Sequence, residues 1–489
     1  MPAMSNFTTE KEFHTLHRHL RASFTTNKTK DIRWRKWQLK QLFWLLDENE
    51  DALVAAMTED LHRHAFESLS YDISDVKSTV LTMLKNIDKW SQGMPPPEAG
   101  LFFRYIGGAW IRKEPRGIVL VIGAWNYPLS TLFSVGAAAI AAGNCVLFKP
   151  SEVAARTEAL LAELVPKYLD PSSIALVRAR PTDMGKILEY KFDFIFYTGS
   201  TRVGRIIAAA AAKHVTPTAL ELGGQAPAIV GKTADIDVCA KRLVAAKLTN
   251  LGQICVCVNH VFVDPQVHDV LVARLIHWAQ HFCSGDGLAG LGRMVTERHF
   301  DRLYDLLSRT AGKKVFEGKH SRNDRLIHPT VVTDVTMDDS LLSEELFGPV
   351  LPVVKKTVPE ALEILRDSPS PLGLYIFSNS LSEVDTILNS TNSGGVTIND
   401  VAIHPDVPSA PFGGVGDSGY GAYHGKWGFD TFSHNRTVVR LPGWVDRFVG
   451  WRYPPFDVKN RTETDVPRPS FKKGETLEDQ TSGSGCVVM

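Results

Sequence analysis

A cysteine and a glutamate in this sequence have surroundings that favour nucleophilic catalysis. Cys255 follows Gly252-Gln253-Ile254, and a glycine-containing loop between a helix and a strand would expose its thiol. An exposed thiol with a lowered pKa is a reactive nucleophile. Glu221 lies in Leu220-Glu221-Leu222-Gly223-Gly224, where burial would raise the pKa of its carboxyl and suit it to general-base catalysis. An inert buried thiol and a structural ion pair are the alternative interpretations.

A third candidate is the asparagine of Trp125-Asn126-Tyr127-Pro128. Its amide group could donate a hydrogen bond to a developing alkoxide and lower the barrier to an addition step. The alternative is an asparagine that only stabilises a turn. Cys257 is a second thiol close to Cys255, but in an extended chain its side chain would point to the opposite face.

Two further segments have the pattern of a nucleotide site. Phe194-Ile195-Phe196-Tyr197 predicts a strand, and Thr198-Gly199-Ser200-Thr201-Arg202-Val203-Gly204 leads from it into a helix. The free N–H groups and the dipole of a helix N-terminus favour a phosphate, although Thr201 replaces the middle glycine of the dinucleotide fingerprint. The segment Lys149-Pro150-Ser151-Glu152 follows another apolar run. At the carboxyl end of a parallel strand, its lysine and glutamate could hydrogen-bond the ribose hydroxyls of a nucleotide. A plain strand–helix turn and a solvated charged loop are the alternatives.

Alternating apolar and alanine-rich segments predict the elements that position these residues. Strands are expected at Ile118–Ile122, Cys145–Phe148, Phe192–Tyr197 and Ala226–Val230, with helices at Leu129–Ala142, Ala154–Tyr168 and Val203–Lys213. This order is typical of a parallel, doubly wound α/β sheet. A second α/β unit is predicted between 236 and 420, with helices at 236–250, 266–283 and 297–311 and strands at 258–263 and 350–354. Residues 8–90 are predicted to be helical, and Phe102 to Glu114 to be strand-like.

The composition of the chain excludes several classes of protein. Its 489 residues include 54 basic and 54 acidic side chains, so no strongly basic surface for nucleic acid is expected. Six cysteines are too few for a disulfide framework and favour a reducing, cytoplasmic compartment, and the first twenty residues lack the apolar segment of a secretory signal. The 32 residues from 117 to 148 carry no charge, but turn residues divide them into strand, helix and strand, which argues against a membrane span.

Six motifs in order resemble the aldehyde dehydrogenase superfamily. They are Trp125-Asn126-Tyr127-Pro128, Lys149-Pro150-Ser151-Glu152, Tyr197-Thr198-Gly199-Ser200, Glu221-Leu222-Gly223-Gly224, Gly252-Gln253-Ile254-Cys255 and Glu344-Glu345-Leu346-Phe347-Gly348-Pro349. The separation of 34 residues between Glu221 and Cys255 also matches that family. The segment from Pro411-Phe412-Gly413-Gly414 to Phe432-Ser433-His434 resembles class 3, the branch that acts on fatty and aromatic aldehydes. Arg452-Tyr453-Pro454-Pro455 fits that branch too, and the resemblance extends from about residue 10 to 456.

The resemblance implies a Rossmann-type NAD-binding domain at 1–96 and 116–222, an α/β catalytic domain at 223–420, and oligomerisation elements of a homodimer at 97–115 and 421–456. It further implies oxidation of an aldehyde to a carboxylic acid. The Cys255 thiolate would attack the aldehyde carbon, and Asn126 with the Cys255 backbone N–H would hold the oxyanion. Glu221 would then activate the water that releases the acid from a thioester.

The same resemblance implies the cofactor residues, and no metal site. Lys149 and Glu152 would hold the adenosine ribose, Glu345 the nicotinamide ribose, and Phe347 would pack near the nicotinamide. The remaining expected cofactor residues are Thr198, Gly199, Ser200, Gly204 and Leu222. Repulsion between Glu152 and a 2′-phosphate favours NAD, although class 3 members often accept NADP. Gln225 replaces the lysine that usually follows the two glycines, and Tyr197 replaces a common phenylalanine.

Three alternative functions stay open beside oxidation of long-chain, lipid-derived, isoprenoid or aromatic aldehydes. The first is an apocarotenal dehydrogenase, as in some fungal class 3 relatives. The second is a catalytically silent NAD-binding scaffold, against which the presence of Asn126, Glu221 and Cys255 argues. The third is an enzyme that transfers the acyl group to coenzyme A, against which the presence of Glu221 argues.

The C-terminal segment indicates contact with a membrane. Residues 457–489 are polar and predicted to be disordered, and Cys486-Val487-Val488-Met489 fits a prenylation motif for which a terminal methionine favours farnesyl. A single lipid gives marginal binding, and this tail has five basic and six acidic residues, so it supplies no polybasic second signal. Trp444, Phe448 and Trp451 would form an aromatic stripe on a helix, which fits either a membrane interface or packing within a dimer or at the substrate entrance. A cytoplasmic enzyme peripherally bound to membranes is therefore expected.

Overall fold

A computed structural model of the chain describes residues 7–459, 473–477 and 479–480. Its α-helices are α1 (Glu10–Thr25), α2 (Ile32–Asp47), α3 (Glu50–Leu61), α4 (Ala65–Ser68), α5 (Ser74–Ser91), α6 (Val135–Ala142), α7 (Ala155–Tyr168), α8 (Pro181–Ile187), α9 (Thr201–Ala212), α10 (Ile236–Leu248), α11 (His268–Phe282), α12 (Glu297–Arg309), α13 (Val358–Asp367), α14 (Leu381–Ser390) and α15 (Gly425–Thr431). Among these described residues, none of the helices combines the length and the hydropathy that a membrane span requires.

The strands between these helices form three sheets. They are β1 (Trp110–Pro115), β2 (Ile118–Ile122), β3 (Cys145–Lys149), β4 (Ile174–Leu176), β5 (Phe194–Thr198), β6 (Thr218–Glu221), β7 (Pro227–Val230), β8 (His260–Val263), β9 (Lys313–Phe316), β10 (Thr330–Thr333), β11 (Val350–Lys355), β12 (Gly373–Phe377), β13 (Gly395–Ile398), β14 (Gly419–Tyr420) and β15 (Ser433–Val438). The smallest sheet pairs only β1 with β15.

A six-stranded sheet places the carboxyl ends of four strands beside one another. Its order is β14-β6-β5-β2-β3-β4, and all neighbours are parallel except β14, which is antiparallel to β6. Every residue of β2, β3 and β5 is buried, as expected for apolar strands covered on both faces. Since the chain winds outwards in both directions from β2, the carboxyl ends of β2, β3, β5 and β6 form the edge where such sheets bind ligands.

A seven-stranded sheet supports the remaining candidate residues. Its order is β13-β12-β7-β8-β11-β10-β9, with only β9 antiparallel to its neighbour. Helix α10 ends at Leu248, and β8 begins at His260, so the loop between them carries Cys255. The α/β class with mainly parallel sheets, predicted from the sequence, is confirmed.

The described chain separates into two contact units. Both large sheets and all described candidate residues belong to the first unit, which contains the residues up to 93 and residues 112–436. The second contains residues 94–111 and the described residues from 437 on. The predicted boundaries of the cofactor-binding, catalytic and oligomerisation domains stay predictions.

The expectation of a strand from Phe102 to Glu114 is partly wrong. A π-helical turn covers Phe102–Ile106, and only Trp110–Pro115 forms a strand. Gly108 follows that turn with a left-handed φ of 47°, which a β-strand does not allow. Aromatic residues favour strands only where a sheet face buries them, whereas Tyr105 is 75% exposed.

The aromatic stripe near the C-terminus does not lie on one helix. Short 3₁₀ turns cover Gly443–Phe448 and Gly450–Arg452. Trp444 and Phe448 contact each other edge to face with ring centroids 6.1 Å apart, and both are exposed. The helical spacing on which the stripe depended is therefore absent between Trp444 and Trp451.

Candidate active site

Strand β6 delivers Glu221 to the edge of the six-stranded sheet as its last residue. The residue is 3% exposed, and within the described part of the chain its Oε1 atom has no hydrogen-bond partner. Burial raises the pKa of Glu221 well above its usual value. An unpartnered buried carboxyl is costly to the fold, so this arrangement is typical of a functional group and not of a structural ion pair.

The loop that carries Cys255 contains three consecutive left-handed residues. Asn250, Leu251 and Gly252 have φ angles of 45°, 53° and 72°. A Cβ atom on Gly252 would lie 2.5 Å from the Gly348 carbonyl oxygen, so only glycine fits there. This turn ends the helix predicted over 236–250 at Leu248 and directs the chain towards Cys255.

The Cys255 thiol differs from the exposed, acidic thiol expected from the sequence. It is only partly exposed, and burial raises its pKa above the usual value, with the carboxylates of Glu221 and Glu345 adding to that effect. The thiol of the free protein is therefore protonated at neutral pH, because no nearby positive charge outweighs burial. Nucleophilic attack by Cys255 then requires that its proton be removed as the substrate reacts.

Cys257 lies in a turn, so the condition of an extended chain, on which its predicted orientation depended, is not met. Its N–H donates to the Ile254 carbonyl oxygen at 2.9 Å. Its own thiol is buried and donates to the Ala246 carbonyl oxygen at 3.5 Å. Cys257 thus contacts the end of α10, which is consistent with a structural role.

Asn126 is joined directly to the Cys255 loop. The residue is 5% exposed and follows β2, and its side-chain Nδ2 donates to the Gln253 carbonyl oxygen at 3.1 Å. An amide nitrogen carries two hydrogens, so one donor stays available for a second acceptor. The ring of the next residue, Tyr127, lies close enough to Cys255 for the thiol to influence its pKa.

The turn after β5 packs so closely around two glycines that a side chain would not fit at either position. A Cβ atom on Gly199 would lie 2.2 Å from the Tyr197 hydroxyl, and one on Gly204 would lie 2.8 Å from Leu222 Cδ2. Ser200 caps α9 by accepting from the Val203 N–H at 3.5 Å. Thr198 Oγ1 is buried and has no partner among the described residues. The turn therefore offers an unpartnered hydroxyl beside the N-terminus of α9, where a phosphate is favoured.

Lys149 and Glu152 form an ion pair at the end of β3. The lysine side chain is almost completely buried, whereas the glutamate side chain is 22% exposed. The carboxylate is thus the more accessible charge of the pair.

Glu345 lies against the two glycines that follow Glu221. A Cβ atom on Gly223 would lie 2.5 Å from Glu345 Oε2, and the Gly224 N–H donates to the same carboxylate. Burial raises the pKa of Glu345 to about 7. Phe347 has a left-handed φ of 50°, and its ring lies 5.3 Å from that of Trp125.

Together these features fit a dinucleotide. The N-terminus of α9, the unpartnered Thr198 hydroxyl and the Glu345 carboxyl group are the kinds of group that bind phosphates and ribose hydroxyls. The structure brings Glu221, Glu345 and Cys255 within electrostatic reach of one another. It also holds Asn126 against the Cys255 loop.

Sequence reasoning missed a buried polar cluster behind Asn126. Arg63 and Asp72 are completely buried and paired, and Asn250 and Glu67 lie beside them. No pattern distinguishes Arg63 from the many solvated charges of the N-terminal helices. The one available signal is its position in His62-Arg63-His64, the short loop between α3 and α4, where helical periodicity does not apply.

Comparisons with known proteins identify the family of this chain. The model of the aldehyde dehydrogenase family matches residues 5–438. Aldehyde dehydrogenase family 3 member B1 of Bos taurus is 41% identical over 450 residues, which cover 91% of this chain and 95% of that protein. The dimeric NADP-preferring aldehyde dehydrogenase of Rattus norvegicus is 37% identical over 442 residues, which cover 90% of this chain and 97% of that protein.

A solved structure supports the same assignment. The substrate-bound AldH of Staphylococcus aureus superposes with a TM-score of 0.85 at 32% identity and covers 90% of this chain and 98% of its own. The chain belongs to the aldehyde dehydrogenase family, whose members oxidise aldehydes to carboxylic acids with NAD(P) as the hydride acceptor.

Proposed function

We propose that Cys255, Asn126 and Glu221 divide the oxidation into two steps. Cys255 gives its proton to a water molecule and attacks the aldehyde carbon, and the Asn126 amide with the Cys255 backbone N–H stabilises the oxyanion. NAD(P), held by Lys149, Glu152 and Glu345, would supply hydride acceptance, and loss of a hydride would leave the adduct on Cys255 as a thioester. Glu221 then accepts a proton from water, the water attacks the thioester carbonyl, and the acid leaves as the thiol is restored.

The observation that carries this proposal is the unpartnered, buried carboxyl of Glu221 within electrostatic reach of Cys255. A carboxyl whose pKa is raised by burial is a stronger proton acceptor than an exposed one. A rapid-quench experiment on the wild-type protein tests the order of steps. NADH should form before acid is released, and simultaneous appearance of both products at every time point would contradict a thioester intermediate.

The cofactor residues support a preference for NAD over NADP. Glu152 neutralises Lys149, so the 2′-phosphate of NADP would meet a carboxylate at this position. The ratio of kcat/KM for the two cofactors tests the preference, and a ratio in favour of NADP would contradict it.

Glu345 is expected to make cofactor affinity depend on pH. Its pKa is raised to about 7, so it is protonated below that pH and is a carboxylate above it. A carboxylate accepts hydrogen bonds from ribose hydroxyls with both oxygens, whereas the protonated acid uses one oxygen as a donor. The Kd for NAD(P), measured by fluorescence titration, should therefore fall as the pH rises through about 7.

Two variants separate Glu345 from other titrating groups. Glu345→Gln should remove most of this pH dependence. Glu344→Gln, a change at the exposed neighbour that pairs with Arg302, should preserve it. An unchanged slope in Glu345→Gln would assign the effect to another residue.

We further propose long-chain, lipid- or isoprenoid-derived, or aromatic aldehydes as substrates. The surroundings of Cys255 support this class, because the half-buried Tyr127 and the buried Tyr375 and Tyr423 lie close enough for the thiol to affect their pKa values. An apocarotenal is the second candidate. Relative kcat/KM values for hexanal, hexadecanal, benzaldehyde and an apocarotenal test the proposal, and a preference for hexanal over all others would contradict it.

A homodimer is proposed from the name of the rat relative, which describes that protein as dimeric. The proposed contact elements are residues 97–115 and 421–456. Light scattering at several concentrations should give twice the chain mass of 54.1 kDa.

Attachment to a membrane through Cys486 is proposed from the terminal sequence alone, since Cys486 lies outside the described residues. In eukaryotic cells the wild-type protein should divide between the membrane and soluble fractions, and Cys486→Ser should shift it to the soluble fraction. Cys283→Ser serves as the matched control, because it removes a thiol elsewhere in the chain. An identical distribution of wild type and Cys486→Ser would contradict lipidation.

A further inference from the structure

A completely buried ion pair lies behind the loop that carries Asn126. Arg63 and Asp72 are both 0% exposed, and Arg63 Nη2 donates to Asp72 Oδ2 at 2.7 Å. Asp72 Oδ1 accepts the backbone N–H groups of Leu129 at 3.1 Å and Ser130 at 2.6 Å. The pair therefore anchors the backbone directly after Trp125-Asn126-Tyr127-Pro128.

Arg63 also holds the loop from its other side. Its Nη1 donates to the main-chain carbonyl oxygen of Asn126 at 3.0 Å. The Asn250 side chain donates to the same oxygen at 3.1 Å. The guanidinium carbon lies 5.2 Å from the centre of the Tyr127 ring, which suits a cation–π contact. One arginine thus contacts Asn126 and the residue that follows it.

The side chains of Asn250 and Asn126 connect this cluster to the Cys255 loop. Asn250 Nδ2 donates to the Gln253 carbonyl oxygen at 3.2 Å, and Asn126 Nδ2 donates to that oxygen at 3.1 Å. Gln253 in turn accepts the Val295 N–H at 3.1 Å through its own side chain. The peptide carbonyl of Asn126 and the loop two residues before Cys255 are therefore held in one hydrogen-bonded cluster.

We propose that Arg63, fixed by Asp72, is a positioning residue that sets the orientation of Asn126 for stabilising the oxyanion. This inference rests on the proposed role of Asn126. Buried charge pairs are costly to desolvate, and packing alone does not require one at this position. The planar guanidinium donates at fixed angles to Asp72, to Ser68 and to Asn126, which a lysine ammonium cannot reproduce.

The first test compares Arg63→Lys with Arg35→Lys as a matched control. Arg35 is also buried and donates to the backbone oxygens of Thr29, Lys30 and Ala141, none of which is a candidate site residue. Arg63→Lys should lower the rate of the first NADH turnover at least about tenfold, because small displacements of an oxyanion donor are costly. Arg35→Lys should leave it within about twofold of wild type.

A second readout separates positioning from general damage to the site. Alkylation of Cys255 by iodoacetamide develops no oxyanion, so its rate should be unchanged in Arg63→Lys. If Arg63→Lys does not fold, Ser68→Ala replaces it, because this change removes only the acceptor of Arg63 Nε and should produce a smaller loss in the same direction. Parallel loss of alkylation and of NADH formation would overturn the positioning role.

A double-mutant cycle distinguishes this inference from the proposed function. In an Asn126→Ala background, Arg63→Lys should cause little further loss, because Arg63 acts through Asn126. Losses that multiply, as for independent sites, would overturn the inference while leaving the role of Asn126 intact. A wild-type first turnover in Asn126→Ala alone would instead refute the oxyanion role and with it the role of Arg63.

Discussion

Replacing Cys255 with serine is expected to abolish NAD(P)-dependent aldehyde oxidation. The serine hydroxyl is far less acidic than a thiol, and the described surroundings of residue 255 raise the pKa of the thiol there. Loss of the covalent nucleophile should reduce kcat at least about 10³-fold. NADH absorbance at saturating aldehyde and cofactor measures the effect.

Cys257→Ser provides the matched control for the Cys255 variant. Cys257 stands in the same loop, but its thiol donates to the Ala246 carbonyl oxygen, a bond that a serine hydroxyl can also make. This variant should retain most of the wild-type rate. Near-normal activity of Cys255→Ser, or inactivity of Cys257→Ser alone, would contradict the assignment of the nucleophile.

Glu221→Gln is expected to separate the two halves of the reaction. Glutamine has the shape of glutamate but accepts no proton, so hydrolysis of the thioester should slow by about 10²- to 10⁴-fold. Hydride transfer precedes hydrolysis of the thioester and does not require Glu221 as a base. Stopped-flow absorbance should therefore show a burst of about one NADH per active site, followed by slow turnover.

Glu383→Gln tests whether any buried carboxyl would have this effect. Glu383 also has an unpartnered Oε1 among the described residues, but it lies at the start of α14 against Gly231, away from Cys255. Its replacement should leave both phases unchanged. Steady-state turnover in Glu221→Gln equal to that of wild type would refute the role of Glu221 as the base.

The parallel strands of this protein are predictable because they are buried on both faces. The apolar run Ile118–Ile122 has the bounds of β2, and the run from Cys145 ends one residue before β3 does. Continuous apolar runs between helices leave few alternatives to a buried strand. The burial of Glu221 was predictable for a related reason, since this lone charge stands between apolar residues and directly before Leu222-Gly223-Gly224.

The surroundings of Cys255 could not be predicted in the same way. Asn250 and Leu251 are both left-handed, and although asparagine tolerates this conformation, leucine rarely adopts it, so the sequence does not indicate the turn. Their conformation depends on contacts distant in sequence, such as the bond from the Asn250 N–H to Glu67 Oε2 at 2.9 Å. The raised pKa of Cys255 likewise results from burial and from Glu345, which lies far away along the chain.

Arg63 illustrates the same limit for charged residues. Helical periodicity predicts that charged side chains are solvated. This arginine is instead enclosed by α3, by the loop after β2 and by the turn that follows α10. Burial of a charge depends on which partners the fold brings to it, namely Asp72 and the Asn126 carbonyl.

The most direct test of the covalent mechanism is the chemical state of Cys255 during turnover. Glu221→Gln, mixed with NAD and hexanal and quenched in acid after the NADH burst, should carry the hexanoyl mass on the peptide that contains Cys255. The amount of that adduct should equal the burst amplitude. A burst without an acyl group on Cys255, or with the acyl group on Cys257 or another residue, would contradict the account.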